Sequence, residues 1–244
     1  MISSNYSKKK KICIVTGSRA EFGILSKFFI ELKKKKNINL NLIVTGSHFN
    51  KEQGNTKNEI LSTKIRNFNE IKVLQNNDKP NDLCALSSNY LKDLSLHFSK
   101  KKYDFLVISG DRYEIFVTAY VATLHKIPII HLFGGDETIG SYDNQFRHSI
   151  SKMSHIHFVS HVSSKNRLIK MGENPNSIFN IGNLSLDNIK SKPFLSKKQL
   201  ENKYNIKFKQ KNFLVTFHTE TLSKDKPISH LKKIFKALSK FKNY

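Results

Sequence analysis

Lys11–Lys33 reads KICIVTGSRAEFGILSKFFIELK. The opening KICIV is a short, near-continuous apolar run of the kind expected of a strand buried on both faces. It breaks at Thr16-Gly17-Ser18, a small, turn-prone tripeptide. From there Phe22, Leu25, Phe28, Phe29 and Leu32 recur at helical spacing across Glu21–Lys35. A buried strand that passes through a glycine turn into an amphipathic helix is the first half of a βαβ unit, and it predicts a parallel sheet.

The same rhythm repeats outward. Strand-like runs fall at Leu40–Thr45 (LNLIVT), Ile71–Leu74 (IKVL), Asp104–Ile108 (DFLVI), Ile127–Leu132 (IPIIHL), His155–Val159 (HIHFV), Ile178–Ile181 (IFNI) and Phe213–Phe217 (FLVTF). Helical patterns lie between them at Leu83–Lys100, Tyr113–His125, Asn144–Met153 and Ser163–Lys170. The fold expected is α/β: a Rossmann-like parallel sheet with helices on both faces. Thr45-Gly46-Ser47, Ser109-Gly110-Asp111 and Phe133-Gly134-Gly135 also follow strands directly. These turns decorate one rim, the carboxyl edge where open α/β sheets bind ligands.

After Asn183 the sequence becomes polar and lysine-rich, with Pro193 inside. The expected organisation is a first domain over 1–184, a linker over 185–200, and the start of a second domain over 201–244. The last segment offers about one strand and two helices, with a final helix near Ser229–Phe241. Those pieces cannot close a sheet alone, so the second domain is expected to be incomplete.

The 244 residues carry a formal charge of +23 with 38% hydrophobic residues, enough to fold around a core. The charge raises three classes of partner: nucleic acid, an anionic membrane face or an acidic small substrate. No RNA-binding aromatic motif or zinc-finger spacing accompanies the lysine runs at Lys8–Lys11 and Lys33–Lys36. They read as solvated surface, with no specific nucleic acid expected. Cys13 and Cys84 stand far apart and make neither a disulfide framework nor a zinc spacing, which fits a reducing cytoplasm. No run of about 18 apolar residues is present, so no membrane span is expected. MISSNYSKKKK at the amino terminus lacks the apolar segment of a signal peptide.

Four constellations carry chemistry. In TGSRAEFG (Thr16–Gly23), a strand, a glycine turn and a helix start form an anion site, and Arg19 can add a bidentate phosphate donor. The competing reading is an ordinary turn with Glu21 in the first helical turn. The stretch is neither GxGxxG nor a P-loop. In SGDRYE (Ser109–Glu114), Asp111 stands just past a buried strand, either as a base or as a helix cap. In HLFGGDETIGSYDNQFRHSISKMSHIHF (His131–Phe158), Gly134 and Gly135 permit tight turns, and Asp136, Glu137 and Asp143 supply carboxylates. On a helix starting near Asp143, Arg147 shares that acid's face. His148 follows, and His155 and His157 alternate on the next strand, so both are expected to point the same way. Without HExxH or similar spacing, these histidines give no defined metal site. In FHTET (Phe217–Thr221), His218 stands at an expected strand end.

Together these motifs resemble the hydrolysing UDP-N-acetylglucosamine 2-epimerase family, most closely its sialic and legionaminic acid branch. GENPNSIFNIGNLSLDNI is similar to the segment that closes the family's first domain, and the match runs from Lys11 to about Thr221. The resemblance implies a GT-B-like pair of Rossmann-like domains with the site in the cleft. It implies proton abstraction at C2 of a UDP-2-acetamido sugar, loss of UDP, and hydration of the glycal, with no metal or redox cofactor. It implies Asp111 and Asp143 in proton transfer. It places Arg19, Glu21, His131, Arg147, His148, His155 and His218 at the substrate, and it implies a homo-oligomer. Some members carry a glutamate where this chain has Phe133, and Asp136 is the acid expected to stand in. The competing readings are a GT-B-like glycosyltransferase and an inactive, truncated relative.

Overall fold

A computed structural model describes residues 9–50, 56–63, 65, 68–73, 79–190, 193–218, 222–223 and 225–241. Seven strands form one parallel sheet: β1 (Lys10–Thr16), β2 (Ile38–Val44), β3 (Asn69–Glu70), β4 (Phe105–Ser109), β5 (Ile129–Leu132), β6 (Ile156–Val159) and β7 (Ile178–Asn180). Their order is β3-β2-β1-β4-β5-β6-β7. The chain winds one way from β1 to β3, then returns to the middle and winds the other way. The switch point between β1 and β4 leaves a crevice at the carboxyl edge.

Side-chain alternation splits the core in two. Cys13 and Val15 of β1 join one cluster, and Ile14 joins the other. The first is covered by α3 (Pro80–Lys100), through Tyr90, Leu94 and Phe98, and by α4 (Tyr113–Leu124). The second is covered by α1 (Arg19–Lys33), through Phe22, Leu25 and Phe29, and by α2 (Lys57–Ser62), through Ile60. Burying a Leu or Phe side chain contributes about 1.5–3 kcal/mol, so each face is held by several such groups. Helices therefore cover both faces of the sheet, as the near-continuous apolar runs require. Cys13 packs fully buried in its strand.

The helical patterns read from sequence all form, with α5 at Asp143–Lys152 and α6 at Val162–Lys170. Two readings are corrected. Phe213–Phe217 forms no strand, and Leu214 is 97% exposed. Alternating apolar residues need a neighbouring strand to become a sheet, and none of the described residues supplies one. Within the expected linker, Ser185–Lys190 is helical (α7). The IKVL run lies just past β3: Ile71 N–H still donates to Val44 O at 3.1 Å, and Leu74 lies outside the described residues.

The chain separates into two compact units. The first comprises 1–137 and 143–189 and holds the sheet; the second comprises 138–142 and 190–244. The second contains α8 (Lys197–Tyr204) and α9 (Pro227–Leu238). Ser196 and Gln199 close a reciprocal capping box at the start of α8.

Candidate active site

The first unit holds a cavity of about 470 Å³ at the switch-point crevice. The turns after β1, β4 and β5 and the helices α1 and α5 wall it, presenting Ser18, Glu21, Asp111, Arg112, Phe133, Asp136 and Arg147. Three motifs distant in sequence thus converge because parallel strands bring their carboxyl ends to one edge.

Arg147 is the hub. It lies one turn into α5, is only 6% exposed, and its guanidinium spans the cavity wall. Nη2 meets the Asp111 carboxylate, and Nη1 donates to Asn144 Oδ1 and to the Asp136 backbone oxygen, each at 2.9 Å. A buried guanidinium fixed on several acceptors is pre-organised toward a further anion. Asp111 is therefore held by an ion pair and aimed at the cavity, not spent on capping α4. The extended residue before that helix is Arg112, which makes no side-chain cap.

Asp136 is buttressed from the next strand's loop. Its carboxylate accepts from Ser160 Oγ at 3.1 Å and from Ser164 Oγ, while its edge faces the cavity. The chain reaches it through the paired glycines. A Cβ on Gly134 would stand 2.7 Å from Ser151 Oγ, and one on Gly135 (φ +77°) only 2.4 Å from Ser164 O. Phe133 adopts φ +63° and turns its ring into the cavity wall. A left-handed aromatic residue costs about 1–2 kcal/mol, so the surrounding structure must impose it: Phe133 N–H donates to Phe158 O at 2.8 Å.

His131 stands behind the wall, fully buried, and does not line the cavity. Its Nε2 lies 3.1 Å from Gly110 O, an acceptor only, so Nε2 carries the proton and donates. Nδ1 then accepts from Ser151 Oγ at 3.1 Å. Burial drives this imidazole down to about 3, and it stays neutral. It fixes Gly110 (φ +90°), the residue before Asp111. Glu21 is buried at the cavity floor and accepts from Gly17 N–H at 2.7 Å. Burial first, then the charge of Glu114, pushes its carboxyl up to about 8.

The remaining candidates stand elsewhere. Arg19 is exposed at the first residue of α1 and pairs with Glu59 at 2.8 Å. Asp143 opens α5 and is partly buried, outside the cavity wall. His148 is partly buried, and burial lowers its pKa. His155 precedes β6 at the amino edge of the sheet, opposite the cavity, where its Nδ1 accepts from Ile129 N–H at 3.3 Å. It is exposed, whereas His157 is fully buried and bonded to Glu173 at 3.2 Å. The pair does not share one environment, because His155 comes before the ladder begins. His218 is exposed in the second unit, and Thr219–Thr221 lie outside the described residues. Sequence reasoning missed Ser160, Ser164 and Ser151, since a lone serine carries no spacing signal. Glu114 could have been found as the second acid of SGDRYE. Among the described residues, no three His, Cys, Asp or Glu side chains gather as a metal site.

A family model for UDP-N-acetylglucosamine 2-epimerase matches residues 30–244. The chain belongs to the UDP-N-acetylglucosamine 2-epimerase family. It is 40% identical, over 96% of its length and 61% of the relative's, to the GDP/UDP-N,N'-diacetylbacillosamine 2-epimerase (hydrolyzing) of Campylobacter jejuni. It is 41% identical, over 96% of its length and 60% of the relative's, to the polysialic acid biosynthesis protein P7 of Escherichia coli. The chain thus spans about 60% of the length of these curated relatives. Among solved structures, the UDP-GlcNAc 2-epimerase of Neisseria meningitidis bound to UDP-GlcNAc superposes with a TM-score of 0.67 at 23% identity. That match covers 80% of this chain and 53% of the other. At this identity the likeness shows the fold, an α/β architecture shared with the family.

Proposed function

We propose that this chain carries the first-domain half of a hydrolysing 2-epimerase acting on a UDP-2-acetamido sugar, either UDP-GlcNAc or UDP-N,N'-diacetylbacillosamine. A base removes the C2 proton as UDP leaves C1. Water then adds to the glycal, giving the 2-epimeric free sugar, so the overall reaction is hydrolysis of a glycosyl bond. The observation that carries this reading is the convergence of Asp111, Asp136 and the buried Arg147 on one cavity at the switch point. A weakly acidic C–H needs a positioned carboxylate, and a departing diphosphate needs fixed cationic donors near its growing charge. The relatives named for a hydrolysing epimerase support it.

Asp111 is the first choice for the base. Asp136 takes the acid role at the wall where Phe133 offers none, and Asp143 serves at the mouth of α5. Arg19, at the start of α1, and His218 are further substrate contacts in this reading. The enzyme works in the cytoplasm as a homo-oligomer without a cofactor and supplies a surface-polysaccharide route of the sialic or legionaminic acid type. No described helix is long and apolar enough to cross a membrane.

The test is incubation with each UDP-sugar while UDP release and the free sugar are followed. Release with inversion at C2 from either substrate is the expected result. Silence with both, or a product formed only with an added acceptor, would reject the reading in favour of an inactive relative or a glycosyltransferase.

A further inference from the structure

Two buried carboxylates lie side by side under the cavity floor, with one guanidinium between them and the loops. Glu21 and Glu114 are 6% and 0% exposed, and both touch Gly17. The Gly17 N–H donates to Glu21 Oε2 at 2.7 Å, and a Cβ on Gly17 would stand 2.9 Å from Glu114 Oε1. Arg112 Nε donates to Glu114 Oε1. The other two oxygens, Glu21 Oε1 and Glu114 Oε2, are buried with no hydrogen-bond partner. Fully ionised, the pair would bury two bare anionic oxygens and two charges against one guanidinium, and such an arrangement is costly. One added proton removes the excess charge: it neutralises one of the two buried carboxyls and leaves a single negative charge opposite Arg112.

We propose that Glu21 and Glu114 hold one proton between them at neutral pH and act as a joint positioning pair for the loops around the cavity. Three loops rest on the pair. The β1 turn lies on it through Gly17. The β2 turn lies on it through Gly46, where a Cβ would stand 2.9 Å from Glu114 Oε1 and 2.5 Å from Gly17 O. The β4 turn lies on it through Arg112 and through Gly110, whose Cβ position is 3.6 Å from Glu21 Oε1. The charged and titratable groups around the pair are few. Arg112 and Asp111 come from the β4 turn, and Tyr90 comes from α3. His48 from the β2 turn is neutral, bonded to Thr16 at 3.0 Å and to Thr56 at 2.9 Å. None of these supplies a donor to the two orphan oxygens. Loss of the proton would set two like charges beneath Gly17 and part the loops. Only the consequence for substrate binding rests on the function proposed above; the proton itself does not.

Infrared spectroscopy of the whole chain tests this without any substrate. The wild type is expected to show a protonated-carboxyl band at pH 7 that disappears at clearly alkaline pH. Both Glu21→Gln and Glu114→Gln are expected to lack it, because removing either acid lets Arg112 balance the other as a carboxylate. Absence of the band from the wild type at pH 7 would overturn the proposal. So would its survival in Glu114→Gln, which would mean an isolated neutral Glu21. Urea unfolding gives a second reading. A proton kept by the folded chain and lost by the unfolded one weakens folding about tenfold for each step of one in pH. Between about pH 5 and pH 9 the wild-type folding constant should therefore drop at least about 100-fold relative to either variant. Equal slopes would also refute a shared proton.

Discussion

At the scale of single residues, the structure separates side chains that line the cavity from those that hold others in place. Asp111 and Arg147 share an ion pair on the cavity wall. Asp111→Asn keeps the shape and the hydrogen bond to Arg147, so the fold should stand while, under the proposed function, UDP release falls at least about 100-fold, the scale of a lost general base. Unchanged release would remove Asp111 from the chemistry. Glycines offer a second contrast. Gly46→Ala would drive a Cβ into the Gly17 backbone at φ +59°, whereas Gly172→Ala meets only the strain of φ +87° with open space around it. Urea unfolding should show a cost of about 1 kcal/mol at Gly172 and clearly more at Gly46. Several of these positions were legible in the sequence. Asp111 and Asp136 follow glycine turns at strand ends, and Arg147 falls in the helix that the pattern from Asp143 predicts. His131 was legible as a special residue but not as a buried one. A histidine closing a strand can point into the core or out to the rim, and only the pleat settles which.

At the scale of elements, periodicity sufficed wherever a partner surface existed. Phe22, Leu25 and Phe29 mark one face of α1, and that face meets the sheet. Leu25 is 1% exposed, so Leu25→Ala should cost about 2–5 kcal/mol, measured as a loss of denaturation midpoint without loss of native helicity. FLVTF had the same strand-like composition as the true strands. Strand preference reflects packing against neighbours more than an intrinsic backbone bias, so composition there could not decide the outcome. The short α7 was illegible for a related reason: six residues are too few for a period to stand out from a polar, lysine-rich run. The start of α8 is a local device. Ser196→Ala should cost about 1 kcal/mol and fray that helix, seen as reduced amide protection in its first turn.

At the scale of the whole molecule, buried titratable groups oppose one another with pH. Burial holds His131 at about 3 and His48 at about 4, against 6.5 for an exposed imidazole. These groups bind protons better unfolded than folded. Their contribution is present above pH 6.5 and is lost as pH falls toward 3. Glu21 runs the other way: held at about 8 against 4.5, it contributes fully below pH 4.5 and that stability is lost as pH rises through 8. Stability should therefore peak at about pH 6.5, where the histidine and Glu21 contributions balance, and decline on both sides. A denaturation series across pH with a maximum well above about 8 would contradict it. The net charge of +23 pointed from the sequence toward several partners, yet the site is built from buried, paired charges that the total does not report.

The sheet's two outermost strands, β3 and β7, span two and three residues. Each leaves too short a row of open amides to recruit a foreign strand. Pairing of copies of the first unit strand to strand is thereby disfavoured, so any self-assembly should be insensitive to changes along those rims.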